Sequence, residues 1–566
     1  MKDLKEVIVK KLEEKELGLD YQEIYNLIEI PPQDNMGDFA FPCFTLARTM
    51  RKNPKLIAEE IAKNLEIDGV EKIENENAYV NFFLDKQKVT NEVINEVLEK
   101  EDDYGKSDMG NGINELVEFS SVNIAKPFHI GHIRSTVIGD VIRNIYEYLG
   151  YNVTASNYIG DYGTQFGVMI AAYKLWGDKE AIDKDPINEL LNLYVRYTKE
   201  EEDNEEYQEK ARQEFKNLED GEEEAVELWQ WFKDLSLREF DRVYGMLDIK
   251  YDNYHGESYH SKWMPDALDE LKEKNLLVES DGAYIVDLSE FNLPPSMLIK
   301  SNGSSAYITR DVATALYRHR TYGLDKNIYV VGSQQKLHFE QLKKILYLMG
   351  HEDVSEEILH VQFGMVSLKD QVLSTRRGHV VFLEDVLNKT IEKTYSIMKD
   401  RDNQIENLEE AAKIVGIGAV KFQELYNSRI KDYVFDWDEL LNFEGETGPY
   451  VHYTYARAKS VLRKAGKENF EKINFEKLNS EEEYSLIKAL ESFQDAVILA
   501  KDRLEPAVVA RKVMEIAQKF NKFYNSTQIL VDDEKVKEER LALTKATSIV
   551  IKNGLGILGI KTVEQM

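Results

Sequence analysis

The sequence predicts a multidomain α/β protein built around a doubly wound parallel sheet. Three observations carry that expectation. The middle of the chain alternates short apolar strands, loops and amphipathic helices, the order that builds parallel sheets with helices on both faces. The first hundred or so residues mix helix and strand patterns, and from about residue 406 the pattern is helical almost throughout. At 566 residues the chain is too long for one core, since single cores stop growing at roughly 250–300 residues. The expected divisions are 1–108, 109–405 and 406–566.

Each element has a local reason. MKDLKEVIVKKLEEKELG opens the chain as an amphipathic charged helix, with neither an apolar signal core nor the acid-poor character of a transit peptide. Asn53–Leu65 sets Leu56, Ile57, Ile61 and Leu65 on one helical face, and Ala78–Leu84 reads as a strand. Asp102–Gly112 is a turn-rich linker. A strand over Glu115–Ser121 leads through a loop into a helix from about His132 to Leu149. That helix spaces Ile133, Val137, Val141, Ile145 and Tyr148 along one side and stops at Gly150. NVTASNYIGDYGTQFG supplies another strand and loop, Asn327–Gln335 a buried strand entering a loop, and Leu359–Leu368 one more strand. Between them, an insertion near 180–260 contains the acidic stretch Glu200–Glu224, expected to be a solvated helical segment without chemistry.

Composition narrows the function classes. Hydrophobic residues make up 43% of the chain and charged residues 31%, with no apolar run of about 18 residues, so a soluble protein without a membrane partner is expected. The one cysteine, Cys43, excludes an internal disulfide and a cysteine-cluster zinc site, and a cytoplasmic location follows as the default. The net charge of 72 − 103 = −31 repels a phosphate polymer at long range. Local basic patches can override that repulsion.

The most informative stretch is NIAKPFHIGHIRS, Asn123–Ser135. Two histidines, His129 and His132, stand three apart around Gly131, with Lys126 three residues before the first. A zinc pair would need a third ligand, and no carboxylate pair or cysteine signature accompanies them. Capping of the following helix is a second reading. The third is a nucleotide grip, in which backbone N–H groups and the positive end of the helix meet a phosphate. Gly131 would then leave room for adenine, and the imidazoles would donate to charge developing on the phosphates.

The string VEFSSVNIAKPFHIGHIRSTVIGD resembles the arginyl-tRNA synthetase family of class I aminoacyl-tRNA synthetases, in which HIGH is the first nucleotide signature. IGDYGTQFG, AYITRDVATALYR, VVGSQQKLHFEQ and FEGETGPYVHYTYARAKSVLRKA are similar to the same family, in its order, and NMGDFAFPCFTLAR resembles its additional N-terminal domain. The resemblance implies a Rossmann-type catalytic core with a parallel sheet, an α+β N-terminal additional domain that reaches the corner of the tRNA, and an all-helical C-terminal anticodon-binding domain. It implies ATP-binding by Pro127, His129, Gly131 and His132, with Mg²⁺ on the phosphates and no zinc. The family's second signature, KMSKS, corresponds here to VLSTRRG, Val372–Gly378. Ser374 is kept, Thr375 stands where a lysine is expected, and Arg376 follows. The resemblance makes Ser374, Thr375 and Arg376 a loop on the triphosphate and lets Lys126 stand in for the missing cation.

Arginine presents a planar cation with five donors, best met by carboxylates and aromatic hydroxyls. Tyr307 and Asp311 flank a strand-to-helix junction, where Asp311 would also N-cap the helix VATALYRHR. The resemblance gives Tyr307 and Asp311 the guanidinium, with Glu118 as a second carboxylate. Ser121, Asn123 and Gln335 would hold the amino-acid end, with Gln334 as an alternative to Gln335. For tRNA, Tyr455–Lys467 clusters Arg457, Lys459, Arg463, Lys464 and Lys467 with Tyr453 and Tyr455 nearby, a mixture suited to phosphate contact and base stacking. The activity implied is ATP-dependent formation of arginyl-adenylate and transfer to the 3′ end of tRNA(Arg), by a monomer. Two alternatives stay open at this stage. One is a class I enzyme for another amino acid, against which stand the missing room for an editing domain and the absent zinc ligands. The other is a non-enzymatic RNA-binding paralogue.

Overall fold

The computed structural model describes residues 2–31, 36–63, 65–202, 204–301, 303–368, 381–401 and 405–566. The chain forms two compact units. One contains 105–453, 495–511 and 554–566; the other contains 1–104, 454–494 and 512–553.

The larger unit is organised by four parallel strands, β1 (Asn114–Glu118), β2 (Asn152–Ser156), β3 (Lys326–Gly332) and β4 (Ile358–Phe363), in the spatial order β4-β3-β1-β2. Leu116 and Val117 of β1 and Ile328 and Val330 of β3 are buried, as strands covered on both faces require. Helix α1 (Ile133–Tyr148) carries the chain from β1 to β2, whereas β3 and β4 lie on the other side of β1. The strand order therefore reverses between β1 and β3, which opens a crevice at their carboxyl ends, the usual ligand position in such sheets. Helix α1 packs closely on the exit of β1: a Cβ on Gly139 would stand 2.1 Å from Cβ of Phe119. It ends as its sequence predicts, with Gly150 at φ +86° donating its N–H to the Glu147 carbonyl.

Three sequence expectations change. The strand expected over Glu115–Ser121 ends at Glu118, because Ser120 and Ser121 take left-handed φ angles. The strand expected over Leu359–Leu368 is two: β4 stops at Phe363, and Val366–Leu368 pairs in parallel with Tyr433–Phe435. The break falls at Gly364, whose carbonyl is taken by the Arg134 side chain. Helix Pro54–Lys63 buries Ile57 and Ile61 but leaves Leu56 exposed, since adjacent residues lie ~100° apart around a helix.

In the smaller unit, helix Lys2–Glu13 buries Ile8, Val9 and Leu12, and a three-stranded antiparallel sheet has Tyr79–Leu84 at its centre. Asp85 caps helix Lys86–Lys100 by accepting from the Gln87 and Lys88 N–H groups. One turn apart on that helix, the side-chain amides of Asn91 and Asn95 each donate to and accept from the backbone of Phe475 and Ile473. The pair binds an extended segment as a neighbouring strand would. Cys43 is buried here, its thiol pushed up to about 12 by burial. Among the described residues no helix is long and apolar enough to cross a membrane.

Arg134, fully buried on α1, ties the larger unit together. Its Nη1 donates to the carbonyls of Gly364 (3.1 Å) and Lys431 (2.7 Å), and its Nε lies 3.4 Å from Glu424 Oε2. Burial pushes the Glu424 carboxyl up to about 8 against the pull of Arg134, so the two carbonyl bonds carry most of the contact, and a hydrogen bond from a charged group is worth about 1.5–3 kcal/mol. Arg134→Met is therefore expected to lower stability on that scale, and Glu424→Gln by clearly less, since the guanidinium keeps its two carbonyl acceptors. Thermal unfolding midpoints check this; equal losses would show that those carbonyl bonds contribute nothing.

Candidate active site

The loop from β1 to α1 enters the crevice under strain. Ser120, Ser121 and Ala125 have φ of +74°, +50° and +57°, a region that costs non-glycine residues roughly 1 kcal/mol or more each and persists only when neighbours hold it. Hydroxyl groups do so for Ser120 and Ala125, and Ser121 N–H donates to the Phe119 carbonyl. Ser120 N–H donates to Ser135 Oγ (2.9 Å), and Ser135 Oγ donates to the Val330 carbonyl of β3 (2.7 Å). Ser120 Oγ lies 2.8 Å from both Thr136 Oγ1 and Tyr244 OH. Ala125 N–H donates to Ser236 Oγ (2.9 Å). Ser236 and Tyr244 belong to helix α2 (Glu223–Leu247), inside the insertion. The acidic stretch Glu200–Glu224 lies mainly on helix Glu205–Glu219, and α2, nearly all of which follows that stretch, buttresses the loop.

The two histidines stack with centroids 3.7 Å apart. His129 N–H donates to His132 Nδ1 (3.2 Å), and Gly131 N–H donates to His129 Nδ1 (3.1 Å). With both Nδ1 atoms accepting, each neutral ring carries its proton on Nε2. Burial pushes His129 down to about 4, with the Lys126 cation adding to the effect. Burial, His129 and Lys126 push His132 well below its usual value. The rings are therefore neutral donors at physiological pH. Gly131 serves this packing directly, since a Cβ there would lie 2.9 Å from the His129 ring. Lys126 Nζ stands 5.5 Å from the centre of the Tyr194 ring, and Pro127 is buried beneath the loop.

Ser374, Thr375 and Arg376 lie outside the described residues. The chain just beyond them is fixed against the histidine loop: Ile130 N–H donates to the Val381 carbonyl, Leu383 N–H donates to the Phe128 carbonyl, and His129 bridges Phe382.

Of the candidate amino-acid residues, Glu118, Ser121 and Asn123 lie on β1 and the loop that leaves it, Gln335 follows β3, and Tyr307 and Asp311 stand on the helix that carries the partner of Glu118. Glu118, the last residue of β1, is buried against Arg318 Nη2 at 2.7 Å. Burial pushes its carboxyl above the usual range while Arg318 pulls it back. Arg318 belongs to helix α3 (Tyr307–Tyr322), whose N-cap is Ala306. Asp311 therefore sits inside the helix, one turn past its start, and the expected N-cap is corrected: helical geometry already begins at Tyr307. Its Oδ2 lies 2.6 Å from His338 Nε2. Tyr307 is 66% exposed at the helix start. After burial and the Arg318 cation, the negative charge of Asp311 bears on Glu118; after burial it bears on Tyr158, placing these groups in one neighbourhood. Ser121 Oγ is buried and makes no hydrogen bond. Asn123 faces Gly160, where a Cβ would stand 1.8 Å from Asn123 Oδ1. Gln335 is exposed at the junction with helix α4 (Lys336–Leu348), and Gln334 folds back over Gly332.

Several participants were not singled out by local sequence: Arg318, His338, the Ser120–Tyr244 hydroxyl cluster and Asp161. The buried Asp161 pairs with Lys233 of α2 at 2.6 Å and accepts from Ser258. Asp161, His338, Arg318, Ser120, Ser135 and Thr136 all stand in the distinctive strings, so a signal existed for them; Tyr244 and Ser236 of α2 carry no local mark. Of the basic cluster, Arg463 and Lys464 are exposed, and Tyr453 is half-buried. Arg457 turns inward to Asn521 Oδ1 (2.6 Å) and the Tyr524 ring. Lys459 and Tyr455 are buried, which removes Tyr455 as a stacking platform.

Comparison with known proteins matches this arrangement along the whole chain. Residues 93–437 match the catalytic domain of tRNA synthetases class I (R), 451–566 the DALR anticodon binding domain, and 2–84 the arginyl tRNA synthetase N terminal domain. The arginine–tRNA ligases of Halothermothrix orenii and Clostridium perfringens are 55% and 50% identical to the chain, each covering 100% of both sequences. The solved structure of Thermus thermophilus arginyl-tRNA synthetase superposes with a TM-score of 0.82 at 26% identity, covering 100% of both chains. The chain belongs to the arginyl-tRNA synthetase family of class I aminoacyl-tRNA synthetases.

Proposed function

We propose that the chain activates L-arginine with ATP to arginyl-adenylate and transfers the arginyl group to the 3′ end of tRNA(Arg). The observation that carries the catalytic reading is the pair of neutral imidazoles, each presenting an Nε2 donor, at the start of α1 in the crevice between β1 and β3. The arginine carboxylate attacks the α-phosphate, and pyrophosphate leaves. A ribose hydroxyl of the terminal adenosine, the 2′ in this class, then takes the arginyl group and releases AMP. No protein nucleophile is required, so catalysis is positioning and charge stabilisation. His129 and His132 donate to phosphate oxygens as charge develops there, and Lys126 adds a cation. The backbone at Pro127 and Gly131 borders the nucleotide, and we assign Ser374, Thr375 and Arg376 to the triphosphate. Mg²⁺ arrives with the phosphates as part of the substrate.

Asp311, Glu118 and Tyr307 receive the guanidinium in this reading, with Glu118 acting as one half of its pair with Arg318. Ser121, Asn123 and Gln335 hold the amino-acid end. Tyr453, Arg457, Arg463 and Lys464 serve tRNA, with the two exposed cations meeting phosphates and Arg457 ordering the helix from within. We assign the tRNA-facing roles to regions 1–108 and 406–566 and catalysis to 109–405, in a cytoplasmic monomer.

Arginine-dependent exchange of pyrophosphate into ATP, with tRNA present, tests the whole reading. Exchange with arginine alone among the amino acids is expected; exchange with a different amino acid, or none, would overturn it. Lys126→Met keeps the stem and removes the cation. Its single-turnover rate of adenylate formation is expected to fall about 10²-fold, the scale of one preorganised transition-state contact, with tRNA binding little changed. Asp311→Asn removes a charge opposite the guanidinium. Loss of a charge-assisted partner costs about 1.5–3 kcal/mol, so the arginine KM should rise tenfold or more while the ATP KM holds; an unaltered arginine KM would take Asp311 out of the pocket.

A further inference from the structure

Asp311 does not meet the crevice unsupported. Its side chain is about a quarter exposed, and its Oδ2 is engaged by Nε2 of His338, which lies in the first turn of α4 three residues beyond Gln335. His338 is itself held edge-on against Phe339 (5.6 Å, 85°), and Phe339 stacks on His360 of β4. An aspartate on a helix surface has two rotatable bonds and presents its oxygens in many directions. Recognition of a planar guanidinium requires an oxygen presented in a fixed direction. We propose that His338 is a positioning residue for amino-acid selection: it holds Asp311 through Oδ2 and leaves Oδ1 to face the guanidinium of the substrate. This rests on Asp311 being the guanidinium partner proposed above.

The arrangement couples selection to protonation. An ionised carboxylate only accepts, so the neutral imidazole keeps its proton on Nε2 and the hydrogen bond survives in both states. The groups facing His338 are Asp311 from α3 and His360 from β4. Burial holds His360 below its usual value, so it is neutral near pH 7. Burial disfavours the His338 cation, but the hydrogen bond and charge of Asp311 outweigh it and raise the imidazole above its usual value. Below that pKa the cation offsets the Asp311 charge and weakens its hold on the guanidinium. Above it the full carboxylate charge is available. The arginine KM should therefore fall as pH rises through the titration of His338.

The test compares wild type, His338→Leu and His338→Gln in arginine-dependent pyrophosphate exchange between about pH 6 and 8, the window of an imidazole. His338→Leu removes one hydrogen bond to a charged group. It should raise the arginine KM at least about fivefold, keep kcat and the ATP KM within about twofold, and flatten the pH dependence. His338→Gln, whose amide can donate to the same oxygen, should recover most of the affinity but remain pH-independent. A wild-type KM and pH profile in His338→Leu would overturn the proposal. So would a parallel loss of kcat and of both KM values with a lowered melting temperature, which marks a structural role. Asp311→Asn separates the two levels: if it leaves the arginine KM unchanged, the pocket assignment itself falls. If it raises the KM while the His338 variants behave as wild type, only the positioning role falls.

Discussion

The structure depends most on the hydroxyl cluster that holds the β1–α1 loop. Three non-glycine residues in left-handed conformations would relax if released, and the histidines would move with them. Ser135 and Thr136 reach back from α1, Tyr244 and Ser236 reach in from α2, and Ser135 closes the circuit on the β3 backbone. A buried network of this kind is worth having only when its members are satisfied. Every link named here lies between 2.7 and 2.9 Å. Sheet, following helix and insertion are thereby locked around one loop, and the crevice between β1 and β3 acquires a fixed floor.

On that floor the electrostatics are of two kinds. In the histidine loop, burial keeps both imidazoles neutral, so they are directed donors rather than cations, and Lys126 is the cation beside them. Around β1 and α3 the carboxylates are already partnered: Glu118 with Arg318 and Asp311 with His338. A bare buried carboxylate would be strongly disfavoured. Pairing with Arg318 relieves that cost for Glu118, whereas Asp311 stays about a quarter exposed beside His338. The net charge of −31 obscures this local division.

The insertion shows why composition misleads at the scale of a site. Its acidic stretch is solvent-facing on helix Glu205–Glu219, as its charge predicts. The next helix, α2, buries Phe232, Leu235, Ser236, Phe240 and Tyr244, and sends Trp229 and Lys233 to Asp161. One charged run thus continues into the support of the loop, because a helix of 25 residues has room for an outward face and an inward one.

Sequence alone determined the strand-loop-helix alternation, the end of α1 at Gly150, the histidine pair with its glycine, and the family, because these depend on local periodicity, backbone chirality and strings of adjacent residues. It also grouped Tyr307, Asp311 and Glu118 as candidates for one ligand. What it could not reach were pairings across long separations in the chain. The Glu118–Arg318 pair joins residues 200 apart, Ser120 meets Tyr244, and Arg134 meets Glu424. Nor could it show that Asp311 sits inside its helix with His338 on one oxygen, or that Arg457 and Tyr455 turn inward while Arg463 and Lys464 remain outside. A side chain's partner is set by which elements the fold brings alongside it, and that is decided only when the core closes and buried polar groups must find one another.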